Sequence, residues 1–147
     1  MATLFDALPA DATLFADGGS RGNPGPAASG AVLVGPDGVV LDEIGRYLGR
    51  ATNNVAEWTA LCIGLERAAE RGVRRLAVRL DSELVVKQMR GEYRVKHADL
   101  QPLHRQAQTL LRRFEHVEIK HVPRKQNKLA DRLVNDVLDQ EAALADS

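Results

Sequence analysis

Residues 17–30 read DGGSRGNPGPAASG. This stretch holds one acid, five glycines and two prolines, and the apolar segments 12–16 and 31–34 flank it. Glycine and proline at this density are typical of a turn inside a folded domain. Because a connection this long between neighbouring strands usually has a function, Asp17 and the residues after it are candidates for a site.

The length of the chain and its single cysteine restrict the class of protein. A chain of 147 residues suits one domain with its own apolar core. Cys62 alone can form neither an internal disulfide nor a cysteine-based zinc site, which favours a reducing compartment. No segment has the apolar run of a membrane span or a secretory signal. We expect a cytoplasmic protein with a partly flexible lead (1–11), one domain (12–141) and a short tail (142–147).

Charge is distributed unevenly along the chain. The 20 basic and 20 acidic residues balance, but residues 87–125 carry ten Lys and Arg against four Asp and Glu. Such a basic segment is either an ordinary solvated surface or a contact for a polyanion. Composition leaves both interpretations open.

Periodicity predicts an α/β fold with five strands and four helices. The predicted strands are 12–17, 27–35, 38–48, 74–80 and 116–122, and the predicted helices are 54–71, 82–90, 99–113 and 127–141. The order is βββαβααβα, which implies an antiparallel meander followed by crossover connections. The result is a mixed sheet with helices on its faces, and ligands of such sheets gather near the carboxyl ends of strands.

Four acids stand where predicted elements begin or end: Asp17, Glu57, Asp81 and Asp131. Each has a structural explanation. Asp17 can begin a turn, and Glu57 can complete a capping box with Asn54. Asp81 can cap the helix that follows it, and Asp131 can favour a helix dipole. These explanations do not account for the four acids together with the residues between them.

Four segments carry a resemblance to a known family. DGGSRGNPGPAASG at 17–30, TNNVAE at 52–57, LDSELVV at 80–86 and NKLAD at 127–131 occur in the order and at the spacing of type 1 ribonuclease H. The resemblance covers nearly all of residues 12–140. It implies the ribonuclease H-like fold, a five-stranded mixed sheet in which the first and fourth strands are neighbours. Asp17 and Asp81 would then lie side by side.

The resemblance also implies an activity, the hydrolysis of the RNA strand in RNA/DNA hybrids. Asp17, Glu57, Asp81 and Asp131 would hold two Mg²⁺ ions, for which Mn²⁺ is a plausible substitute. Elementary electrostatics agrees, since clustered carboxylates repel one another unless cations lie among them. Asp17 would bridge both ions. Glu57 and Asp81 would hold the ion near the leaving group, and Asp131 would complete the site of the ion near the water. The products would be a 5′-phosphate and a 3′-hydroxyl.

Substrate contacts follow from the same resemblance. The 2′-hydroxyl distinguishes RNA from DNA, and family positions that read it or the adjoining backbone correspond to Asn23, Asn54, Glu57 and Ser82. The full predicted substrate-binding set is Gly18, Asn23, Thr52, Asn54, Ser82, Arg124, Lys125 and Asn127. For Asn54 a helix cap is an equally good interpretation.

The chain departs from many family members in two places. The loop before the last acid is only PRKQN, at 123–127, and lacks their histidine; His121 is predicted to lie in the fifth strand instead. Residues 89–99 leave no room for a basic protruding helix. Basic side chains could partly replace it as phosphate contacts: Arg90, Arg94, Lys96, Arg124 and Lys125.

Three functions remain open at this stage. The first is a hybrid-specific endoribonuclease, the second a non-catalytic hybrid-binding module, and the third a two-metal nuclease with a different substrate. Four intact acids favour catalysis, and the predicted 2′-hydroxyl contacts favour a hybrid. We expect a monomer whose partner is an RNA/DNA hybrid, with no membrane or protein partner.

Overall fold

The computed structural model describes residues 11–146, which form one mixed β-sheet covered by helices on both faces. Its strands are β1 (Asp11–Ser20), β2 (Gly25–Val34), β3 (Val40–Ala51), β4 (Arg75–Leu80) and β5 (His116–His121). Its α-helices are α1 (Asn53–Glu70), α2 (Glu83–Met89), α3 (Gln101–Leu111) and α4 (Lys128–Ala145), and a 3₁₀ turn (Arg124–Gln126) precedes α4.

The sheet has the strand order β3-β2-β1-β4-β5. β1 pairs antiparallel with β2, which pairs antiparallel with β3. β4 lies parallel to both β1 and β5. The predicted mixed sheet and the order βββαβααβα are therefore confirmed, and the first and fourth strands are neighbours.

The glycine-rich stretch is strand rather than turn over most of its length. β1 continues through Ser20 and β2 begins at Gly25, so the connection spans only residues 21–24. Asp17 does not close the strand, because it pairs with Gly30 inside the β1–β2 ladder. The prediction of a long turn was wrong, because Gly18 and Gly30 lie in the strands and serve the packing of helices against the hairpin.

Two glycines allow α1 and α4 to approach the hairpin closely. A Cβ atom on Gly18 would lie 2.2 Å from the carbonyl carbon of Ala56 in α1. A Cβ atom on Gly30 would lie 2.7 Å from the carbonyl oxygen of Ala130 in α4. Both distances are far below van der Waals contact, so each helix backbone rests directly on a strand. Glu57 and Asp131 each follow one of these contacts by one residue.

The main apolar core lies between the sheet and α1, with α2 and α3 completing it. Trp58, Leu61 and Leu65 of α1 are buried in one cluster with Leu14 of β1 and Val78 of β4. A second, smaller cluster lies beneath α4 and contains Ala28, Val134 and Leu138. None of the helices in residues 11–146 has the length and apolar composition that a membrane crossing requires.

The ends of the fold differ from the predicted boundaries. α4 extends to Ala145, so residues 142–145 belong to the helix and not to a separate tail. Asp11 is the first residue of β1. The remainder of the predicted N-terminal lead, residues 1–10, lies outside the described part of the chain.

We expect Gly18→Ala to lower the stability of the fold by about 1–3 kcal/mol or more, because overpacking against a backbone forces a helix to move. Gly19→Ala is the matched control, since its Cβ would make an ordinary contact of 3.6 Å with Val134. Thermal and urea unfolding of both variants measure the difference. Equal stabilities for the two variants would contradict this account of the packing.

Candidate active site

Asp17 lies in the central strand at the point where two neighbouring strands separate. Ala16 is the last residue of β1 that pairs with β4, opposite Leu80. β4 then ends, while β1 continues beside β2. The side chain of Asp17 is therefore at the mouth of a gap, and the residue is only 9% exposed.

Glu57 and Asp81 lie beside helix starts but do not cap them. Thr52 caps α1 and accepts from the amide of Val55 through its hydroxyl, at 3.2 Å. Ser82 caps α2 in the same way, at 3.3 Å from the amide of Val85. The capping explanations for Glu57 and Asp81 are therefore excluded, and both carboxylates are available for other contacts.

Asp131 lies in the first turn of α4. Its amide donates to the carbonyl oxygen of Asn127 at 3.1 Å. Its carboxyl is hydrogen-bonded to Asp17 and lies 3.7 Å from Nη2 of Arg124. The helix start thus directs a carboxyl group toward β1.

All four predicted acids line one cleft of about 440 Å³. Its walls come from β1 and the turn after it, α1, the end of β4, the 3₁₀ turn and α4. The lining residues are Asp17, Gly18, Gly19, Ser20, Arg21, Asn53, Glu57, Asp81, Arg124, Asp131, Val134, Asn135 and Leu138. The structure therefore brings together acids that are up to 114 positions apart in the chain.

Burial and neighbouring charge make Asp17 hard to ionise. Burial, followed by the charge of Asp81 and the hydrogen bond and charge of Asp131, raises the pKa of Asp17 to about 8. A hydrogen bond from the amide of Gly18 opposes this rise. The fold therefore favours the protonated form of Asp17 when no cation is present.

Glu57 is in a similar environment. Burial raises its pKa to about 7, and the charge of Asp81 adds to the rise. A hydrogen bond with the Ser82 side chain acts in the opposite direction. Ser82 therefore contacts a cleft carboxylate in addition to capping α2.

The carboxylates do not form a ready cation site as they stand. Across residues 11–146, no group of three or more Asp, Glu, His or Cys side chains converges closely enough to hold a metal ion. The donor set nevertheless fits a hard divalent cation, because four carboxylates face one cleft and raised pKa values mark unfavourable negative charge. Binding would require the carboxylates to come closer together than they are in this structure.

Three of the predicted substrate contacts lie together beside the cleft. Asn23, Thr52 and Asn54 line a cavity of about 210 Å³ together with His97 and Leu100. The amide oxygen of Asn23 accepts from the backbone amide of Asn53 at 3.1 Å, which holds the β1–β2 turn against the start of α1. Asn54 does not cap the helix, so its side chain remains available at the surface.

The other predicted contacts are distributed differently. Arg124 lines the cleft, whereas Lys125 lies in a neighbouring groove beside Phe15. Asn127 is only 1% exposed and donates to the carbonyl oxygen of Ala16 at 2.9 Å. This burial removes Asn127 from the surface that a duplex could reach, contrary to the expected substrate contact.

The basic segment is only partly free for phosphates. The guanidinium of Arg90 donates twice to the carbonyl oxygen of Ile119, at 2.6 and 3.0 Å. Arg94 and Lys96 are exposed. His121 lies in β5, as predicted, and is the last residue of that strand. None of the four histidines, all within the described residues, lines the cleft.

Sequence reasoning missed four polar residues that line the cleft: Ser20, Arg21, Asn53 and Asn135. Asn53 accepts hydrogen bonds from the amide and hydroxyl of Ser20, at 2.8 and 3.1 Å. Arg21 pairs with Asp139 of α4 at 2.6 Å. Asn135 could have been found, because it lies four residues after Asp131 on the same helix face.

Comparison with known proteins identifies the family. A family model described as reverse transcriptase-like matches residues 15–137. The RNase H1 of Halobacterium salinarum, whose crystal structure is known, superposes with a TM-score of 0.86 at 46% identity over 88% of this chain and 98% of that chain. The chain belongs to the type 1 ribonuclease H family.

Two further type 1 ribonuclease H structures are similar. The N-terminal RNase H domain of Rv2228c from Mycobacterium tuberculosis has a TM-score of 0.88 at 49% identity, over 92% of this chain and 98% of that chain. LC11-RNase H1, solved in complex with an RNA/DNA hybrid, has a TM-score of 0.84 at 38% identity, over 89% of this chain and 99% of that chain.

The full-length relatives are longer than this chain. The bifunctional protein Rv2228c is 51% identical over 131 residues, which are 88% of this chain and 36% of the relative. Ribonuclease HI of Halobacterium salinarum is 48% identical over 125 residues, which are 85% of this chain and 63% of that protein. The similarity to these two relatives therefore concerns one part of each protein.

We expect Asp17→Asn to stabilise the cation-free protein increasingly as pH rises from about 4 to about 8. The pKa of Asp17 is 3.8 in the unfolded reference and about 8 in the fold, so the folded state holds a proton that the unfolded chain has released. Wild-type stability therefore falls over this range, whereas the asparagine variant escapes the loss. Each kcal/mol relieved corresponds to about 2–4 °C in Tm.

Thermal unfolding in EDTA at several pH values measures this effect. Asp136→Asn, an exposed position on α4, is the control and should follow the wild type. A Tm difference between Asp17→Asn and wild type that is constant from pH 4 to pH 8 would argue against the buried, protonated carboxyl.

Proposed function

We propose that this chain is an endoribonuclease that hydrolyses the RNA strand of RNA/DNA hybrids with two Mg²⁺ ions, leaving 5′-phosphate and 3′-hydroxyl ends. The observation that carries the proposal is the cleft in which Asp17, Glu57, Asp81 and Asp131 meet. Family membership supports it, and so does the hybrid bound to LC11-RNase H1. A cytoplasmic location and a monomeric state are further parts of the proposal.

Family membership implies a divalent metal cofactor, and the donor set favours Mg²⁺. Carboxylate oxygens are the ligands that hard cations prefer, and the cleft offers no cysteine or histidine that would select a softer metal. Cation binding would displace the proton held by Asp17, so we expect affinity to rise with pH. Mn²⁺ should substitute, because it takes the same oxygen ligands.

The four acids have separate tasks in this proposal. Asp17, the most buried and most central, would be shared between both ions. Glu57 and Asp81 would hold the ion near the leaving group, and Asp131 the ion near the water. Bound cations lower the pKa of an attacking water and stabilise the leaving oxygen of a phosphodiester. The chain itself supplies no nucleophile; its residues hold charge and orient the phosphate.

Hybrid specificity would come from the polar groups around the acids. The Ser82 side chain lies close enough to Glu57 to lower the pKa of that carboxyl, and the two residues could face a 2′-hydroxyl, which donates and accepts. Asn23 and Asn54 line the adjacent cavity with Thr52. Gly18 lines the cleft. Because Gly18 has no side chain, α1 can pack closely against β1 at this position.

Arg124 is proposed as the phosphate contact of the short loop, as the sequence suggested. It lines the cleft and faces Asp131 at 3.7 Å, with a side chain that is 81% exposed. An exposed pair of this length contributes little to stability, so the guanidinium can exchange Asp131 for a phosphate. Arg124 therefore belongs to the site, whereas Lys125 contacts the groove outside it.

A cleavage assay on matched RNA/DNA, RNA/RNA and DNA/DNA duplexes, with and without Mg²⁺, tests the function. We expect Mg²⁺-dependent cleavage of the hybrid alone. Asp81→Asn should lower kcat by at least about a hundredfold, because loss of a charge-stabilising group at a reacting centre costs about that much. Asp136→Asn should cleave at the wild-type rate.

The other outcomes separate the alternatives. Tight binding of the hybrid without cleavage would identify a non-catalytic hybrid-binding module. Cleavage of DNA/DNA or RNA/RNA at comparable rates would identify a two-metal nuclease with another substrate. Wild-type activity in Asp81→Asn would remove the acid cluster from the mechanism.

The exposed basic residues generate a further prediction. If Lys96 contacts a phosphate, Lys96→Ala should make the slope of log affinity against log salt shallower by about 0.7–0.9. Its kcat at saturating hybrid should be unchanged, because Lys96 does not line the cleft. The matched control is Arg112→Ala, an exposed basic position after α3, which should keep the wild-type slope.

Hybrid affinity measured at several salt concentrations decides this point. Identical slopes for the two variants and the wild type would show that the segment around Lys96 is an ordinary solvated surface. The same series with Arg94→Ala extends the test to the neighbouring exposed arginine.

A further inference from the structure

We propose that Asn127 is a positioning residue that holds Asp131 in register with Asp17 through a buried contact with β1. The proposal rests on the function proposed above and assigns this side chain an internal role. It concerns a residue that touches neither substrate nor reacting atoms and acts through Asp131.

A continuous path of hydrogen bonds joins the two acids through Asn127. Its side-chain Nδ2 donates to the carbonyl oxygen of Ala16, the neighbour of Asp17, at 2.9 Å. Its own carbonyl oxygen accepts from the amide of Asp131 at 3.1 Å. One residue therefore connects the backbone beside Asp17 with the backbone of Asp131, and the two carboxyls hydrogen-bond to each other.

The place of this contact matters. Ala16 is the last residue of β1 that pairs with β4, so its carbonyl lies where the two strands separate and the cleft opens. Asn127 follows the 3₁₀ turn, and its backbone amide donates to the carbonyl oxygen of Arg124 at 2.9 Å. The short loop is thus folded against the sheet at the same point at which α4 begins.

Asn127 makes this contact instead of the usual one for its position. Asparagine before a helix commonly accepts from an amide of the first turn, but Asn127 makes no side-chain cap to α4. Its Oδ1 is also buried without a hydrogen-bond partner. A buried unpaired oxygen and a missing cap both cost stability, which indicates that the side chain serves the placement of α4 and not its stability alone.

The test uses two substitutions at Asn127. Asn127→Ala removes the contact with Ala16. Asn127→Ser also removes it, because the side chain is too short to span the distance, but its hydroxyl can cap α4 in the ordinary way. The serine variant should therefore be at least as stable as the alanine variant, but Asp131 should no longer be held in register with Asp17.

Gln88→Ala is the matched control. Gln88 is also a buried amide that donates to a backbone carbonyl, that of Arg94 at 3.4 Å, and whose Oε1 has no partner. It does not line the cleft. Its replacement removes the same chemistry at a distance from the acids.

For each protein we would measure Tm, kcat and KM on the hybrid with saturating Mg²⁺, and Mn²⁺ affinity of the protein alone by calorimetry. Both Asn127 variants should lower kcat and Mn²⁺ affinity by about 10–100-fold, as loss of a residue that orients a metal ligand typically does. KM should change less than about threefold. Gln88→Ala should lower Tm and leave kcat and Mn²⁺ affinity within about twofold of wild type.

A folded Asn127→Ser variant with wild-type kcat and wild-type Mn²⁺ affinity would overturn the proposal. Equal losses of kcat in Gln88→Ala would also overturn it, because a general loss of stability would then explain both. If the wild type does not cleave the hybrid, the proposed function fails, and Mn²⁺ affinity alone decides whether Asn127 positions Asp131.

Discussion

Repulsion between carboxylates in one cleft is the constraint on which this structure depends. Burial and the charge of its neighbours raise the pKa of Asp17 to about 8, so the group of acids is unfavourable without cations or protons. The surrounding fold must therefore hold these side chains in place against their own electrostatics. It does so with the β1–β2 hairpin and with two helices, α1 and α4, that rest directly on it.

The scaffold relieves the acids of structural tasks. Thr52 and Ser82 cap the two helices beside which Glu57 and Asp81 lie. Asn23 and Asn53 connect the β1–β2 turn to α1. Because other side chains satisfy the local hydrogen-bonding needs, the carboxylates are left to face the cleft, which is what metal chemistry would require of them.

Local patterns in the sequence were enough to predict the order of elements, and the resemblance to type 1 ribonuclease H singled out the four acids as a set. Each strand and helix has its own periodicity, and the acids lie in recognisable segments. The role of the glycines could not be predicted, because a glycine in a turn and a glycine beneath a helix have the same local signature. A glycine beneath a helix is recognised only by its contact with that helix, here the contacts of Gly18 with Ala56 and of Gly30 with Ala130, and these residues are distant in sequence. The burial of Asn127 likewise depends on Ala16, 111 positions away.

The thin layer beneath α4 has a consequence for the lifetime of the site. α4 rests on a small cluster of Ala28, Val134 and Leu138, whereas α1 is set into the main core with Trp58. Segments with few buried apolar contacts open locally at lower free energy than the core of the same domain. Because Asp131 belongs to α4, we expect a local opening of this helix to separate Asp131 from the other three acids while α1 stays packed on the sheet. The fraction of time during which all four acids share the cleft would then depend on α4, and amide hydrogen exchange that is faster in α4 than in α1 would reveal it.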